Sequence, residues 1–390
     1  MNLAIVCSHP IQHFCPQYAS LAKLPGLKVK VFFASALGFK KYIDPQFKRE
    51  ISWGNLRLDQ FDHVFLNGEE SLPAGKDLDA PALDAALKEF APDVLIGYGY
   101  FQKFQRRAFR WGRKNGVKTA YISDSELRHH HSAWKEFLKA FYIQAYFKKI
   151  DFFLSVGNAN EEYYLRQQVP LSKIVRMHFS IDKEIYSDAW TKKTELAAGI
   201  RSKLNIAPGT LVASTVGKLL PTKNQGHIIR AMEILEKNGV VMDLIVLGSG
   251  ETMEELKTLA ATLERSKVHF PGFVNPEELP AYYAASDLYI HPAELERHSL
   301  AISEAIYMGS PVIISDLCGS YGETDDVQDG KNGLVYRCGD IPALAEAIEK
   351  LARRPELRQS FGAYSHDLAV AFQDRSHGGF IQDIAKRAGK

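Results

Sequence analysis

Residues His291 to Pro311 read HPAELERHSLAISEAIYMGSP, and this stretch organises the rest of the chain. It opens as the end of a strand, crosses a short polar loop and continues as a helix of small and apolar residues. A helix that begins near Ser299 would point the backbone amides of residues 298–300 out of its N-terminus. Such an end carries about half a positive elementary charge and binds anions. Glu296 and Glu304 flank it, and two hydrogen-bonding carboxylates beside an anion cradle suit a sugar joined to a diphosphate.

Composition predicts a globular α/β protein of more than one domain. The length of 390 residues favours two or three domains, and 46% hydrophobic with 24% charged residues is ordinary for globular proteins. No run approaches the ~20 apolar residues that a membrane span requires. The four cysteines lack a C-x-x-C spacing, so we expect a reduced, cytoplasmic protein.

The charge is distributed unevenly along the chain. The first 185 residues contain 26 Lys and Arg against 19 Asp and Glu, whereas the remainder contains 22 against 27. A basic first half attracts anions such as a lipid phosphate, a membrane surface or an acidic acceptor, although surface charge of this size also serves solubility alone. We therefore expect a cytoplasmic location, with peripheral contact at the inner face of the membrane as one option.

Apolar runs of strand length alternate with helical patterns in both halves, which predicts parallel sheets covered by helices. The clearest strand runs are LAIVCSHP, KVKVFFAS, PDVLIGYG, VKTAYISD and DFFLSVG, followed by TLVASTVG, MDLIVLGSG, KVHFPGFV, SDLYIHP, SPVIISD and GLVYRCGD. The pattern predicts two doubly wound α/β domains facing across a cleft. We assign residues 1–185 to an N-terminal domain, 186–205 to a linker, 206–372 to a C-terminal domain, and 373–390 to a helix that packs back on the first domain.

A second polar constellation, GKLLPTKNQGH, spans residues 217–227. It follows a predicted strand, and Lys218 and Lys223 precede a helix. Two ammonium groups that converge on a diphosphate would bind it and neutralise its charge as it leaves.

These two stretches together resemble the family 4 retaining glycosyltransferases, whose E-x7-E signature lies in a GT-B fold of two Rossmann-like domains. Glu296 and Glu304 occupy the two acidic positions, and Pro292, Leu300 and Gly309 keep the family's register. The 217–227 segment is similar to the family's Gly-Arg-x-x-x-x-Lys-Gly, with lysine in place of the arginine and asparagine in place of the second glycine.

The resemblance implies that the N-terminal domain, residues 1–185, lies on the acceptor side and that the C-terminal domain, residues 206–372, binds the nucleotide sugar. It also implies a role for each matching position. The implied catalytic residues are Glu296, which contacts the donor sugar, and Lys218 and Lys223, which contact the departing diphosphate. Glu304 is implied to bind the ribose. The remaining implied donor-binding residues are His298, Ser299, Leu300, Gly248, Gly250, Phe273 and Val274.

The chain departs from the family pattern at three places. The first strand ends in SHPIQHF, where the family commonly has a glycine-rich loop, so His9 and His13 are candidate acceptor or donor-sugar contacts. Asp124 stands near the place of a histidine that reaches the donor sugar in many relatives. The loop Ser320–Asp326 is enlarged, and we interpret its two aspartates as loop acids.

No metal or other cofactor is expected beyond the nucleotide-sugar co-substrate, of UDP or GDP type. Consecutive histidines at 129–131 diverge on a helix and cannot all bind one ion. Residues 101–116 form a basic helical pattern with interleaved aromatics, which could rest on a membrane surface or pack on its own sheet. Nucleic acid is excluded as a partner by the modest net charge and the absence of a binding module.

The predicted function is therefore a metal-independent, retaining hexosyl-type transferase that moves a sugar from a nucleotide donor to a hydroxyl acceptor. Its pathway would be cell-surface glycan, lipid-linked oligosaccharide or other glycoconjugate synthesis. Two alternatives remain open: a GT-B sugar-nucleotide epimerase, and a non-catalytic glycan-binding protein with a relic site.

Overall fold

A computed structural model describes residues 1–39, 42–44, 49–51, 56–128 and 133–389, without the side chains of 42–51 and 133–139. The chain divides into two compact units. The first comprises Met1–Val156, Asn160–Asp182 and Phe372–Lys390, and the second comprises Gly157–Ala159 and Lys183–Ala371. Residues 186–205, assigned above to a linker, belong to the second unit.

The first unit contains a parallel sheet of seven strands. Its strands and the short hairpin are β1 (Asn2–Cys7), β2 (Lys28–Phe33), β3 (Tyr42–Asp44), β4 (Arg49–Ile51), β5 (Asp62–Glu69), β6 (Val94–Tyr98), β7 (Lys118–Ile122), β8 (Phe152–Ser155) and β9 (Ile174–Arg176). The sheet order is β5-β2-β1-β6-β7-β8-β9, and β3 pairs with β4 as a separate antiparallel hairpin.

Helices connect these strands. They are α1 (Cys15–Ala22), α2 (Leu83–Phe90), α3 (Lys103–Lys114), α4 (Ala133–Phe147) and α5 (Asn158–Arg166). Alternate residues of β1 enter two different cores: Leu3 and Ile5 pack in one, and Ala4 and Val6 in the other. Helices therefore cover both faces of the sheet, as in all-parallel α/β proteins.

The second unit contains a parallel sheet of six strands in the order β12-β11-β10-β13-β14-β15. Its elements are α6 (Lys183–Thr191), α7 (Lys193–Lys203), β10 (Leu211–Val216), α8 (Gln225–Lys237), β11 (Met242–Leu247), α9 (Met253–Ala260), β12 (Lys267–Gly272), α10 (Leu279–Ala285), β13 (Leu288–His291), α11 (Leu300–Tyr307), β14 (Val312–Ser315), β15 (Gly333–Tyr336) and α12 (Ile341–Ala352). Two further helices, α13 (Pro355–Asp374) and α14 (Phe380–Ala388), end the described chain.

The predicted fold class is confirmed, since both sheets are parallel and covered by helices. The basic pattern at 101–116 contains α3, whose Phe104 and Phe109 are buried in the first unit's core, so these aromatics pack on their own sheet. The three histidines at 129–131 lie outside the described residues. Among the helices that the structure describes, none combines the length and apolar character needed to cross a bilayer.

Candidate functional site

The order of the second sheet reverses between β10 and β13. These strands are neighbours, yet β11 and β12 continue on one side of the pair and β14 and β15 on the other. Loops that follow two such strands leave a crevice at the carboxyl edge of the sheet, where doubly wound folds bind ligands. The segments that follow are 217–224 and 292–299, the two polar stretches singled out in the sequence.

Lys223 and Glu296 meet at this edge. The Lys223 Nζ lies 2.6 Å from Oε2 of Glu296 and also donates to the carbonyl of Leu295 at 3.2 Å. The His291 Nε2 lies 3.4 Å from the same carboxylate oxygen. Burial alone would raise the pKa of Glu296, but His291 and Lys223 outweigh it and hold the pKa at about 2. Glu296 is therefore an ionised acceptor for hydroxyl groups, held beside a cation.

Hydrogen bonds to backbone carbonyls join the two loops. The Glu294 amide donates to the Thr222 carbonyl at 2.9 Å, and the Asn224 side chain donates to the Pro292 carbonyl at 3.4 Å. Asn224 has φ of 53°, in the left-handed region, which explains how asparagine stands where the family has glycine. Lys218 is partly buried directly after β10, and its carbonyl accepts from the Gln225 side chain at 3.1 Å.

Ser299 is the N-cap of α11, and Leu300 is the first helical residue, as the sequence predicted. The expectation that the Ser299 amide points freely out of the helix is wrong. This amide donates to the Ser320 hydroxyl at 2.8 Å, so the enlarged loop is fastened to the start of α11.

His298 lies in a buried cluster with Asp325 and Asp326. Its Nε2 is 3.4 Å from Oδ1 of Asp325 and 3.7 Å from Oδ2 of Asp326. Burial lowers the pKa of His298, but the two carboxylates outweigh it and the net shift is upward. Asp326 also accepts from the Ser303 hydroxyl at 2.6 Å. The two aspartates, interpreted above as loop acids, are thus interior groups that face the His298 imidazole and favour its charged form.

The same three residues could hold a metal ion. One ligand atom from each of His298, Asp325 and Asp326 lies within 4.8 Å of the others, and in the described part of the chain this is the group with metal-like spacing. A protonated His298 cannot bind a metal through Nε2. The upward pKa shift therefore favours the ion-pair interpretation.

Glu304 lies one turn into α11, among tyrosine side chains. The Tyr283 hydroxyl donates to its Oε2 at 2.8 Å. Burial raises the pKa of Glu304 to about 7, although bonds from Tyr283 and Tyr186 act in the opposite direction. The carboxyl group thus changes charge near neutral pH.

Gly248 and Gly250 allow the backbone after β11 to approach the backbone after β10 closely. A β carbon at Gly248 would lie 1.9 Å from the Gly217 carbonyl oxygen, and one at Gly250 would lie 2.1 Å from that of Leu219. The loops after β10 and β11 therefore pack directly on one another. Phe273 and Val274 follow β12 and are half-buried, with Val274 against the core beneath α10.

Three candidates lie in the first unit, at the carboxyl edge of its sheet. His9 and His13 follow β1; burial lowers the pKa of each to about 4, and at His13 the charge of His9 adds to it. The His9 Nδ1 lies 2.9 Å from the Ser8 hydroxyl. Asp124 follows β7 and is partly exposed. Both imidazoles are neutral at pH 7 and suit hydrogen bonds to uncharged hydroxyl groups.

Sequence reasoning missed His291, Tyr283 and the link from His298 to the two aspartates. His291 ends β13, so its position beside Glu296 could have been found from the strand boundary. Tyr283 lies on α10, twenty-one residues before its partner Glu304, and no local pattern marks it.

Part of the second unit is similar in sequence to a known protein family. Residues 198–367 match the family model described as "Glycosyl transferases group 1". The chain is 25% identical over 214 residues to the alpha-D-kanosaminyltransferase of Streptomyces kanamyceticus, covering 55% of this chain and 54% of that protein. The chain covers about half the length of the first curated relatives that it matches.

Solved structures are similar in fold to the whole chain. A glycosyltransferase from Rickettsia africae has a TM-score of 0.73 at 13% identity and covers 99% of this chain and 98% of its own. The Anabaena protein HepE in complex with UDP has a TM-score of 0.68 at 17% identity, with 99% of each chain covered. Residues 198–367, less than half of the chain, are thus similar to the group 1 glycosyl transferases, and the whole chain has the fold of the GT-B glycosyltransferases.

Proposed function

We propose that this protein is a retaining, metal-independent glycosyltransferase that moves a sugar from a nucleotide-sugar donor to a hydroxyl acceptor. The observation that carries the proposal is the contact between Lys223 and Glu296 at the reversal point of the second sheet. A cation and an ionised carboxylate on facing loops provide one group for a phosphate and one for sugar hydroxyls.

In this proposal the second unit binds the donor. Lys218 and Lys223 bind the diphosphate, Glu296 accepts hydrogen bonds from the donor sugar, and Glu304 accepts them from the ribose. The start of α11 and the half-buried Phe273 and Val274 complete the donor site. Two ammonium groups fixed beside the leaving group would stabilise the charge that develops there.

The transfer step needs no external reactant. The acceptor hydroxyl oxygen forms a bond to the anomeric carbon, and the bond from that carbon to the diphosphate oxygen breaks with its electron pair. The proton of the hydroxyl passes to an oxygen of the departing diphosphate on the same face of the sugar, which retains the anomeric configuration.

We propose a donor of UDP or GDP type, and UDP is favoured because it is the ligand of the similar Anabaena structure. The acceptor would be a glycan or a lipid-linked molecule of cell-surface glycan synthesis. The basic first half supports peripheral contact with the inner face of a membrane as part of the same proposal.

Thermal-shift measurements with UDP, GDP, ADP and their sugar conjugates test the donor site. A ligand present at 100 times its dissociation constant adds about 2.7 kcal/mol of stability. We expect one nucleotide to stabilise the protein and Lys223→Ala to abolish the shift in melting temperature.

The anomeric configuration of the product, determined by NMR, then tests retention. Sugar-nucleotide conversion without acceptor would point to an epimerase, and binding without turnover to a relic site.

A further inference from the structure

The first unit contains a basic pocket between α3 and α4 that the proposed transfer reaction does not use. Its volume is about 340 Å³, within the lower range of small-molecule sites at about 300–1,000 Å³. Its lining residues are Arg106, Phe109, Arg110, Arg113, Tyr142, Ala145, Tyr146, Lys149 and Ile150. Four of them carry a positive charge, and none of these described lining residues carries a carboxylate.

The spacing of the cations follows from helix geometry. Arg106, Arg110 and Arg113 recur at intervals of four and three residues, which places them on one face of α3. The neighbouring Arg107 faces elsewhere: its guanidinium donates to both carboxylate oxygens of Asp79 at 2.8 Å. The charge of Arg107 is thus balanced by a carboxylate. Arg106, on the pocket face, donates to the backbone carbonyls of Tyr100 and Phe101, which are neutral and leave its positive charge in place.

The Tyr146 hydroxyl is a second, independent observation. This oxygen is buried and has no hydrogen-bond partner among the described residues, although buried hydroxyls are normally paired. Burial raises the pKa of Tyr146, as does Tyr142, while the charges of Arg106 and Arg110 act in the opposite direction. Arg106, Arg110 and Tyr146 line the same pocket.

Aromatic rings hold Tyr146 in place. Tyr142 stacks on it with ring centroids 6.4 Å apart, and Phe109 meets it edge-on at 6.1 Å. Tyr142 itself is exposed. The pocket thus combines fixed hydrogen-bond donors inside with an aromatic surface at its mouth.

We propose that this pocket binds a phosphate group on an organic ligand. Phosphate oxygens accept hydrogen bonds from the Tyr146 hydroxyl and the guanidinium groups, and planar guanidinium forks match phosphate geometry. The aromatic rim contacts the organic part. A soluble phosphate ester and the head group of an anionic lipid share this chemistry.

Titration calorimetry with inorganic phosphate and glycerol phosphate tests the soluble form, and flotation with vesicles of phosphatidylglycerol or phosphatidylcholine tests the lipid form. Tyr146→Phe removes only the hydroxyl, and Arg110→Gln removes one charge. Lys114→Gln is the matched control, since Lys114 is exposed on the same helix and does not line the pocket. We expect each pocket variant to weaken binding of the active probe about tenfold or more, which is about 1.4 kcal/mol, and the control to leave it unchanged.

Binding of glycerol phosphate identifies a soluble ester, and binding of phosphatidylglycerol vesicles alone identifies a lipid head group. Absence of binding to every phosphate probe would overturn the proposal. An equal loss in Lys114→Gln would also overturn it, because general surface charge would then explain the binding. Nucleotide binding, measured on the same variants, stays unchanged in either case and separates this site from the donor site.

Discussion

The hydroxyl of Tyr283 lies 2.8 Å from Oε2 of Glu304, inside the second unit. Tyr283 is fully buried, and its ring meets that of Tyr289 edge-on at 5.8 Å. The carboxyl group thus lies in aromatic surroundings that disfavour its ionised form. A residue expected to bind ribose as an acceptor is consequently half-protonated near neutral pH.

Nucleotide affinity should therefore rise with pH through about 7, where Glu304 loses its proton. An ionised carboxylate accepts stronger hydrogen bonds from ribose hydroxyls than a neutral carboxyl group. Titration calorimetry of the preferred nucleotide from pH 5.5 to 8 measures the effect. In Glu304→Gln, only the titration of the nucleotide's own phosphate should remain, and an unchanged profile in this variant would remove Glu304 from the ribose site.

Stability should show the opposite dependence on pH. The pKa of Glu304 is raised from 4.5 to about 7 in the folded protein, so the folded state binds the proton more tightly. Its stabilising contribution is complete below pH 4.5 and is lost as the pH rises through about 7. Urea unfolding of wild type and Glu304→Gln at pH 5 and 8 checks this. The difference in free energy of unfolding between these two pH values should be smaller in the variant.

Lys223→Ala should lower the turnover number about 10²–10³-fold, as removal of one fixed donor at a developing charge does. Loss of this cation should also raise the pKa of Glu296, because Lys223 helps to hold it at about 2. Steady-state kinetics with the donor found by thermal shift measure the effect. Lys257→Ala is the control, since Lys257 forms an exposed pair with Glu254 on α9. Wild-type turnover in Lys223→Ala would exclude this lysine from the mechanism.

Removal of divalent metal should leave both turnover and melting temperature unchanged. The two aspartates raise the pKa of His298 and so favour its charged form, which would balance part of their negative charge without a metal. Dialysis against EDTA followed by assay with and without Mg²⁺, Mn²⁺ or Zn²⁺ checks this. A melting temperature that falls with EDTA and recovers with one cation would instead identify a metal site.

His298→Gln should lower the free energy of unfolding by about 3–5 kcal/mol, the usual cost of removing one member of a buried ion pair.

The architecture was predictable because the strands are continuous apolar runs that end in polar residues. A strand of a parallel sheet is buried on both faces and therefore has apolar side chains on both, as in LIVL of β11. β5 was missed because Asp62, His63 and Asn67 interrupt its apolar pattern at the edge of the sheet. β9 has three residues, too few for periodicity to indicate a strand.

The candidate site was predictable in its residues but not in its contacts. Glu296 and Lys223 could be singled out from motif spacing, yet their direct pairing depends on β10 and β13 being neighbours in the sheet. The partners of His298 lie 27 and 28 residues further along the chain, in a loop without periodic pattern. Side chains that meet through folded loops leave no local signature, so such pairs become visible in three dimensions.

Gly319→Ala should impair the site without removing any of its functional groups. A β carbon at Gly319 would lie 1.8 Å from the carbonyl oxygen of Arg297, and the Gly319 amide donates to the Glu296 carbonyl at 2.9 Å. Backbone at Glu296 and Arg297 must therefore shift to accept the methyl group. A displacement of about 1 Å at positioning groups costs on the order of 10²-fold in rate, so we expect turnover to fall by about this factor.

Gly199→Ala is the matched control, because Gly199 is exposed on α7 with no atom within 4 Å of the added β carbon. That control should keep wild-type turnover and gain up to about 1 kcal/mol of stability from helix propensity. Wild-type kinetics in Gly319→Ala, with an unchanged melting temperature, would mean that the loop carrying Glu296 tolerates displacement and that its geometry does not limit transfer.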